Sequence, residues 1–228
     1  MSEKIWNFPN NNGTITKGIS DAGIETFKGN LLTSLAREIC QNSLDAKRVG
    51  QSVVKVEFKN HYIIPSKFPG IEDFKEVFNN LDRYWSKNSP PAKTFLNRAK
   101  LLLKSNSISV LRVSDYNTTG LSDPYGNSSN SLWHNITKVD GGSTKSSDKA
   151  GGFGIGKNAP FANSSFRTVF YRTLNENNEK AIQGISRLPS FPIDFDRVNE
   201  TMTLGLGYYG NPEGNLAIEN LEVFDNIN

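Results

Sequence analysis

The sequence predicts an α+β layered domain in which helices lie on one face of a mixed sheet, and three observations lead there. A proline-free helical pattern runs from Asn30 to Arg48, and a second helical region spans the insert at 60–106. Short runs rich in β-formers recur at 52–58, 107–115, 166–172, 181–188 and 201–209. No internal repeat or linker divides the 228 residues, so they read as one domain over 1–228.

The elements follow in order. Residues 1–18 hold Trp6, Phe8, Pro9 and an Asn/Gly stretch, which predicts an irregular arm anchored by two aromatics, packed locally or onto a second copy. NLLTSLAREICQNSLDAKR, Asn30 to Arg48, is made of good helix formers, and Gly50 follows as a stop. SVVKVEF, Ser52 to Phe58, alternates as a strand. Phe74, Val77, Phe78, Leu81 and Trp85 stand at helical spacing, and the pattern resumes over Ala92 to Lys104 after Pro90 and Pro91, which predicts a helical hairpin. Ser107 to Asp115 is a buried strand ending on an aspartate. The stretch 122–152 is dense in Ser, Gly, Asn, Asp and Lys, and a loop of that length inside a domain is usually functional or mobile. GGFGIGKNAPFA leads into a short helix, and three strands follow as a meander.

Composition excludes several classes. A net charge of +3 is too small to mark a nucleic-acid binder by itself. One cysteine, Cys40, forbids an internal disulfide framework and a cysteine-built zinc site, and His61 and His134 lie far apart. No apolar run approaches the ~18 residues that span a bilayer, and Met1 to Asn30 has no signal-peptide core, so a cytoplasmic protein without membrane partners is expected. The 27 asparagines are mostly loop composition. Asn42 differs because it stands inside a helical pattern.

With Glu38 at zero and about 100° per residue, Asn42 falls near 40° and Asp45 near −20°. Leu32, Leu35, Ala36, Ile39, Cys40 and Leu44 cover the opposite arc, and Cys40 reads as a small core residue. A carboxylate can accept a proton from water, an amide carbonyl can ligate a hard cation without adding charge, and a second carboxylate can hold the cation's waters. A solvated polar face is the plain structural alternative.

Three motifs follow one another: EICQNSLDA (Glu38 to Ala46), DYNTTGL (Asp115 to Leu121) and GGFGIGK (Gly151 to Lys157). They resemble the N-box, the aspartate-glycine box and the glycine-rich lid motif of the GHKL ATPases. That superfamily includes gyrase B, the ninety-kilodalton heat-shock chaperone, histidine kinases, MutL-type repair proteins and MORC proteins. The lid motif, with an aromatic between two glycines, is closest to the chaperone and MORC form. Each motif is weak singly, and their shared order is the signal.

The resemblance implies the Bergerat fold, a two-layer sandwich with a mixed, mostly antiparallel sheet, and the cofactors ATP and magnesium. Glu38 matches the general base acting on water, and Asn42 the magnesium ligand. Asp45 is expected beside the magnesium and phosphates. Asp115 matches the acceptor of the adenine amino group, and Gly120 would let the backbone approach the nucleotide. Gly152, Phe153, Gly154 and Gly156 form the phosphate-binding turn, where Lys157 adds a charge or stands on the surface. The lid spans 122–156.

The chain departs from the family at Asn117, where the first glycine of the aspartate-glycine box usually stands, and reaches Gly120 one residue late. No match to the γ-phosphate-sensing lysine of a second domain follows Lys157. Slow magnesium-dependent ATP hydrolysis is therefore expected, with lid closure controlling contact with a homodimer mate through arm and lid, or with a downstream protein or nucleic-acid-processing partner. The alternatives are a non-hydrolysing ATP sensor and a histidine-kinase-like phosphotransferase, the latter disfavoured because no histidine precedes His61. Family analogy inclines the reading toward genome maintenance or antiviral defence.

Overall fold

The computed structural model of the chain describes residues 5–126, 128–139, 156–193 and 201–220. In chain order the elements are β1 (Ile5–Asn7), α1 (Ala22–Glu25), α2 (Leu31–Asp45), β2 (Lys55–Ile63), α3 (Ile71–Trp85), α4 (Pro90–Leu103), β3 (Ile108–Tyr116), α5 (Leu132–Thr137), α6 (Ala159–Asn163), β4 (Thr168–Leu174), β5 (Lys180–Arg187) and β6 (Leu206–Gly210). The class is α+β, as expected. Among the described residues every strand pairing is antiparallel, and the strands form two sheets, β1-β6-β5-β4 and β2-β3.

The larger sheet carries the core. Residues opposite one another across antiparallel strands share a face, so Trp6, Phe170, Gly184 and Tyr209 lie on one side and Val169, Ile185 and Tyr208 on the other. The first face packs on α3 and α4. Phe74, Val77, Phe78 and Leu81 of α3 recur at i, i+3, i+4 and i+7, and Ala92, Leu96, Ala99 and Leu103 form the matching stripe of α4. Ser89 caps α4, accepting a bond from the Ala92 amide, and prolines occupy its first turn, where their missing donors cost nothing. The ring of Trp6 meets that of Phe74 at 5.1 Å, and Phe166 meets Phe74 edge-on at 5.7 Å.

Short helices close the second face: Ile24 of α1 and Phe161 of α6 pack on Ile185 and Tyr208. Coverage on both sides, with strands on both edges, explains why Ala181 to Ser186 of β5 are all buried. The arm expected to be irregular contributes β1, which pairs with β6 and buries Trp6, so it packs locally over 5–7. No described helix is long and apolar enough to cross a membrane.

Candidate functional site

Helix α2 brings the site together. Its Leu35 and Ile39 pack with Phe27 and with Ala159 and Ala162 of α6. The remaining apolar arc is less covered than its pattern predicts: Leu32 is 69% and Leu44 60% exposed, because no described element lies over those two positions. On the other face Glu38 is half-buried, while Asn42 and Asp45 are exposed. Gln41 Nε2 donates to Asp45 Oδ1 at 3.0 Å, fixing that carboxylate along the helix. The guanidinium of Arg37 stands 3.4 Å from Glu38 Oε1.

Gly156 opens a single 3-10 turn, Gly156–Asn158, which runs directly into α6. It lies against Glu38: a β-carbon at position 156 would fall 1.9 Å from Glu38 Oε2. The last glycine of the third motif and the glutamate of the first therefore share one volume, which only a residue without a side chain leaves free. Gly152, Phe153 and Gly154 lie outside the described residues, as does 140–155 of the expected lid. The described part of that stretch contains α5, capped by Ser131, whose Oγ accepts from the His134 amide.

Lys157 is half-buried in the turn that leads into α6. Its ammonium donates to the carbonyl oxygens of Asn135 and Val139 at the C-terminal end of α5, where the partial negative charge favours a cation.

Asp115 is the penultimate residue of β3 and is exposed at the strand's end. Ser43 of α2, 3% exposed, donates its hydroxyl to Asp115 Oδ2 at 3.0 Å. Sequence reasoning missed Ser43. The available signal was a hydroxyl standing in the apolar arc of an amphipathic helix, where a polar side chain needs a partner.

The turn after β3 is bound to the residues that directly follow that helix. The Arg48 amide donates to the Asn117 carbonyl, and the Thr119 amide to the Ala46 carbonyl, both at 2.9 Å. Asn117 takes φ 65°, the left-handed conformation that asparagine tolerates, and its amide donates to the Val53 carbonyl. So this turn takes its left-handed residue from asparagine rather than glycine. Gly120, at φ 69°, approaches the β4-β5 turn so closely that a β-carbon would come within 2.8 Å of Asn175 Cα. Thr173 Oγ1 then accepts the Leu121 amide at 2.9 Å.

The structure thus gathers Glu38, Asn42 and Asp45 on one helix, Gly156 against the first of them and Asp115 against that helix through Ser43. Among the described residues, no three His, Cys, Asp or Glu side chains form a metal-holding group of their own, so a cation here would draw on amide, water or ligand oxygens. No family model, curated protein or solved structure matches the chain, and its site is read from these residues alone.

Proposed function

We propose that the chain is a magnesium-dependent ATP-binding domain of GHKL type that hydrolyses ATP slowly, with lid closure altering its contacts. The observation that carries this reading is the convergence of three separate motifs on α2: Gly156 touches Glu38, and Ser43 holds Asp115. The Glu38 carboxylate takes the space that a side chain at position 156 would fill, which sets the proposed base beside the end of the glycine-rich motif.

ATP with magnesium supplies an electrophilic γ-phosphate. Glu38 accepts the proton of the attacking water, and its contact with Gly156 limits where the carboxylate can lie. Asn42 offers an amide oxygen to the cation without adding charge, and Asp45, held by Gln41, offers a carboxylate to the cation's waters. Asp115 accepts from the adenine amino group, a donor that guanine lacks at that position, while the Ser43 hydroxyl fixes its orientation.

The non-hydrolysing sensor has one observation in its favour: the Lys157 ammonium is engaged by the carbonyls of Asn135 and Val139. Calorimetry with ATP, with and without magnesium, tests the shared part of both readings. Magnesium-dependent binding that weakens in Asp115→Asn is expected, and its absence would overturn them. Phosphate release that is measurable in the wild type and lost in Glu38→Ala supports the ATPase, whereas negligible turnover in both supports the sensor.

A further inference from the structure

The charge of this protein is unevenly placed. Residues 83–114 contain seven of the 26 cations and none of the 23 acids, leaving 19 cations against 23 acids in the rest of the chain. A net charge of +3 therefore conceals an acidic molecule with one strongly basic stretch.

The fold displays that stretch. Because Ala92, Leu96, Ala99 and Leu103 of α4 enter the core, Lys93, Asn97, Arg98 and Lys104 are turned to solvent, and Arg83 and Lys87 are exposed at the α3-α4 turn. Lys100 is the α4 cation with a carboxylate partner, Asp82 of α3 at 2.5 Å. Among the described residues no ion pair involves Lys87, Lys93, Arg98 or Lys104. From Lys93 to Lys104 the chain rises about 16 Å, with Lys93 and Lys104 on one margin of the outward face and Arg98 on the other, roughly 120–140° round the helix axis.

We infer that the outward face of α4 is a docking surface for the phosphate backbone of duplex nucleic acid, bound without sequence preference. Cations on both margins of one exposed helix face can meet phosphates on both sides of a groove, and phosphate contacts position a protein without reading bases. A lipid surface suits the helix less well. Its apolar stripe is consumed by the core, and Leu101, 71% exposed, is the one large hydrophobic residue α4 leaves outside. An acidic protein partner would call for an aromatic or aliphatic anchor cluster, which this face lacks. The inference does not rest on the ATPase reading, and its test needs no nucleotide.

The experiment is fluorescence anisotropy of the full chain with two labelled duplexes of unrelated sequence, at low and moderate salt. Expected is micromolar-range binding at about 50 mM salt, equal for both sequences, with a log–log salt slope of about −3 to −4 from roughly four phosphate contacts. Lys93→Glu/Arg98→Glu/Lys104→Glu should weaken binding by at least ~10-fold. The control Lys28→Glu/Lys180→Glu, which reverses cations elsewhere, should stay within ~2-fold. Should the triple variant melt early, Arg98→Gln alone should lower the slope by about one. The inference is overturned by no binding at low salt, by wild-type affinity in the folded triple variant, by an unchanged slope in Arg98→Gln, or by stronger binding to phosphatidylserine vesicles than to duplex.

Discussion

A β-carbon on residue 156 would sit 1.9 Å from Oε2 of Glu38, so the position of this carboxylate depends on the absence of a side chain opposite it. Gly156→Ala displaces the end of a flexible side chain rather than backbone, and the fold should tolerate it. Melting within about 2 °C of wild type is expected, because the change is local and relieved by rotation. Phosphate release should fall by at least ~10-fold, since a displacement of about 1 Å in a reacting group can cost ~100-fold. Unchanged release in a folded variant would remove Glu38 from the chemistry.

Ser43 is a positioning residue for Asp115. Its buried hydroxyl donates to a carboxylate, a bond worth about 1.5–3 kcal/mol in general. Ser43→Ala should therefore lower ATP affinity about 5-fold or more, and Ser43→Thr, which keeps the hydroxyl, should restore most of it. Calorimetric titration of the two variants separates this role from simple packing, because a packing role would make Ala the milder change.

Stability should divide sharply between the two helical layers. Phe74 is fully buried among aromatic rings, and Phe74→Ala should cost about 3–5 kcal/mol in denaturant unfolding. Leu32 on α2 is 69% exposed, and Leu32→Ala should change stability by less than about 0.5 kcal/mol. Similar losses for both would mean that Leu32 is covered in solution.

Glu57 on β2 titrates unusually low, at about 2, because Lys55 bonds it and Tyr116 donates its hydroxyl to it. The folded value lies below the unfolded one of about 4.3, so this group's contribution is complete above that value and disappears as pH falls toward 2. A carboxyl-carbon NMR titration should give the low midpoint in the wild type. It should rise in Lys55→Met and, by less, in Tyr116→Phe.

Legibility followed periodicity and failed where structure depends on partners distant in sequence. α3 runs over Ile71–Trp85, where a long amphipathic face leaves a strong 3.6-residue signal, whereas α4 begins at the proline pair rather than after it, because prolines suit the first turn of a helix. β1 has three residues, too few for alternation to register, and owes its form to β6 some 200 positions later. α5 hides in a Ser- and Asn-rich stretch where only the Ser131 cap announces it. In the site, Glu38, Asn42 and Asp45 were legible as a shared face because helical geometry alone sets their spacing. Ser43 was not, because its role depends on where β3 ends.

The bonds joining α2 and the residues just after it to the end of β3 give the site a mechanical frame. Asp115 is held from two sides: β3 pairs with β2, where Val56 stands opposite it, while the Ser43 hydroxyl of α2 and main-chain links from Ala46 and Arg48, just after that helix, tie the strand end to the element that carries Glu38. The Gly156 side meets Glu38 by contact and is bonded to the same helix farther along, where Asn163 Nδ2 of α6 donates to the Leu31 carbonyl. Amides near Ala46 and Thr119, joined across this turn, should therefore exchange together as one unit.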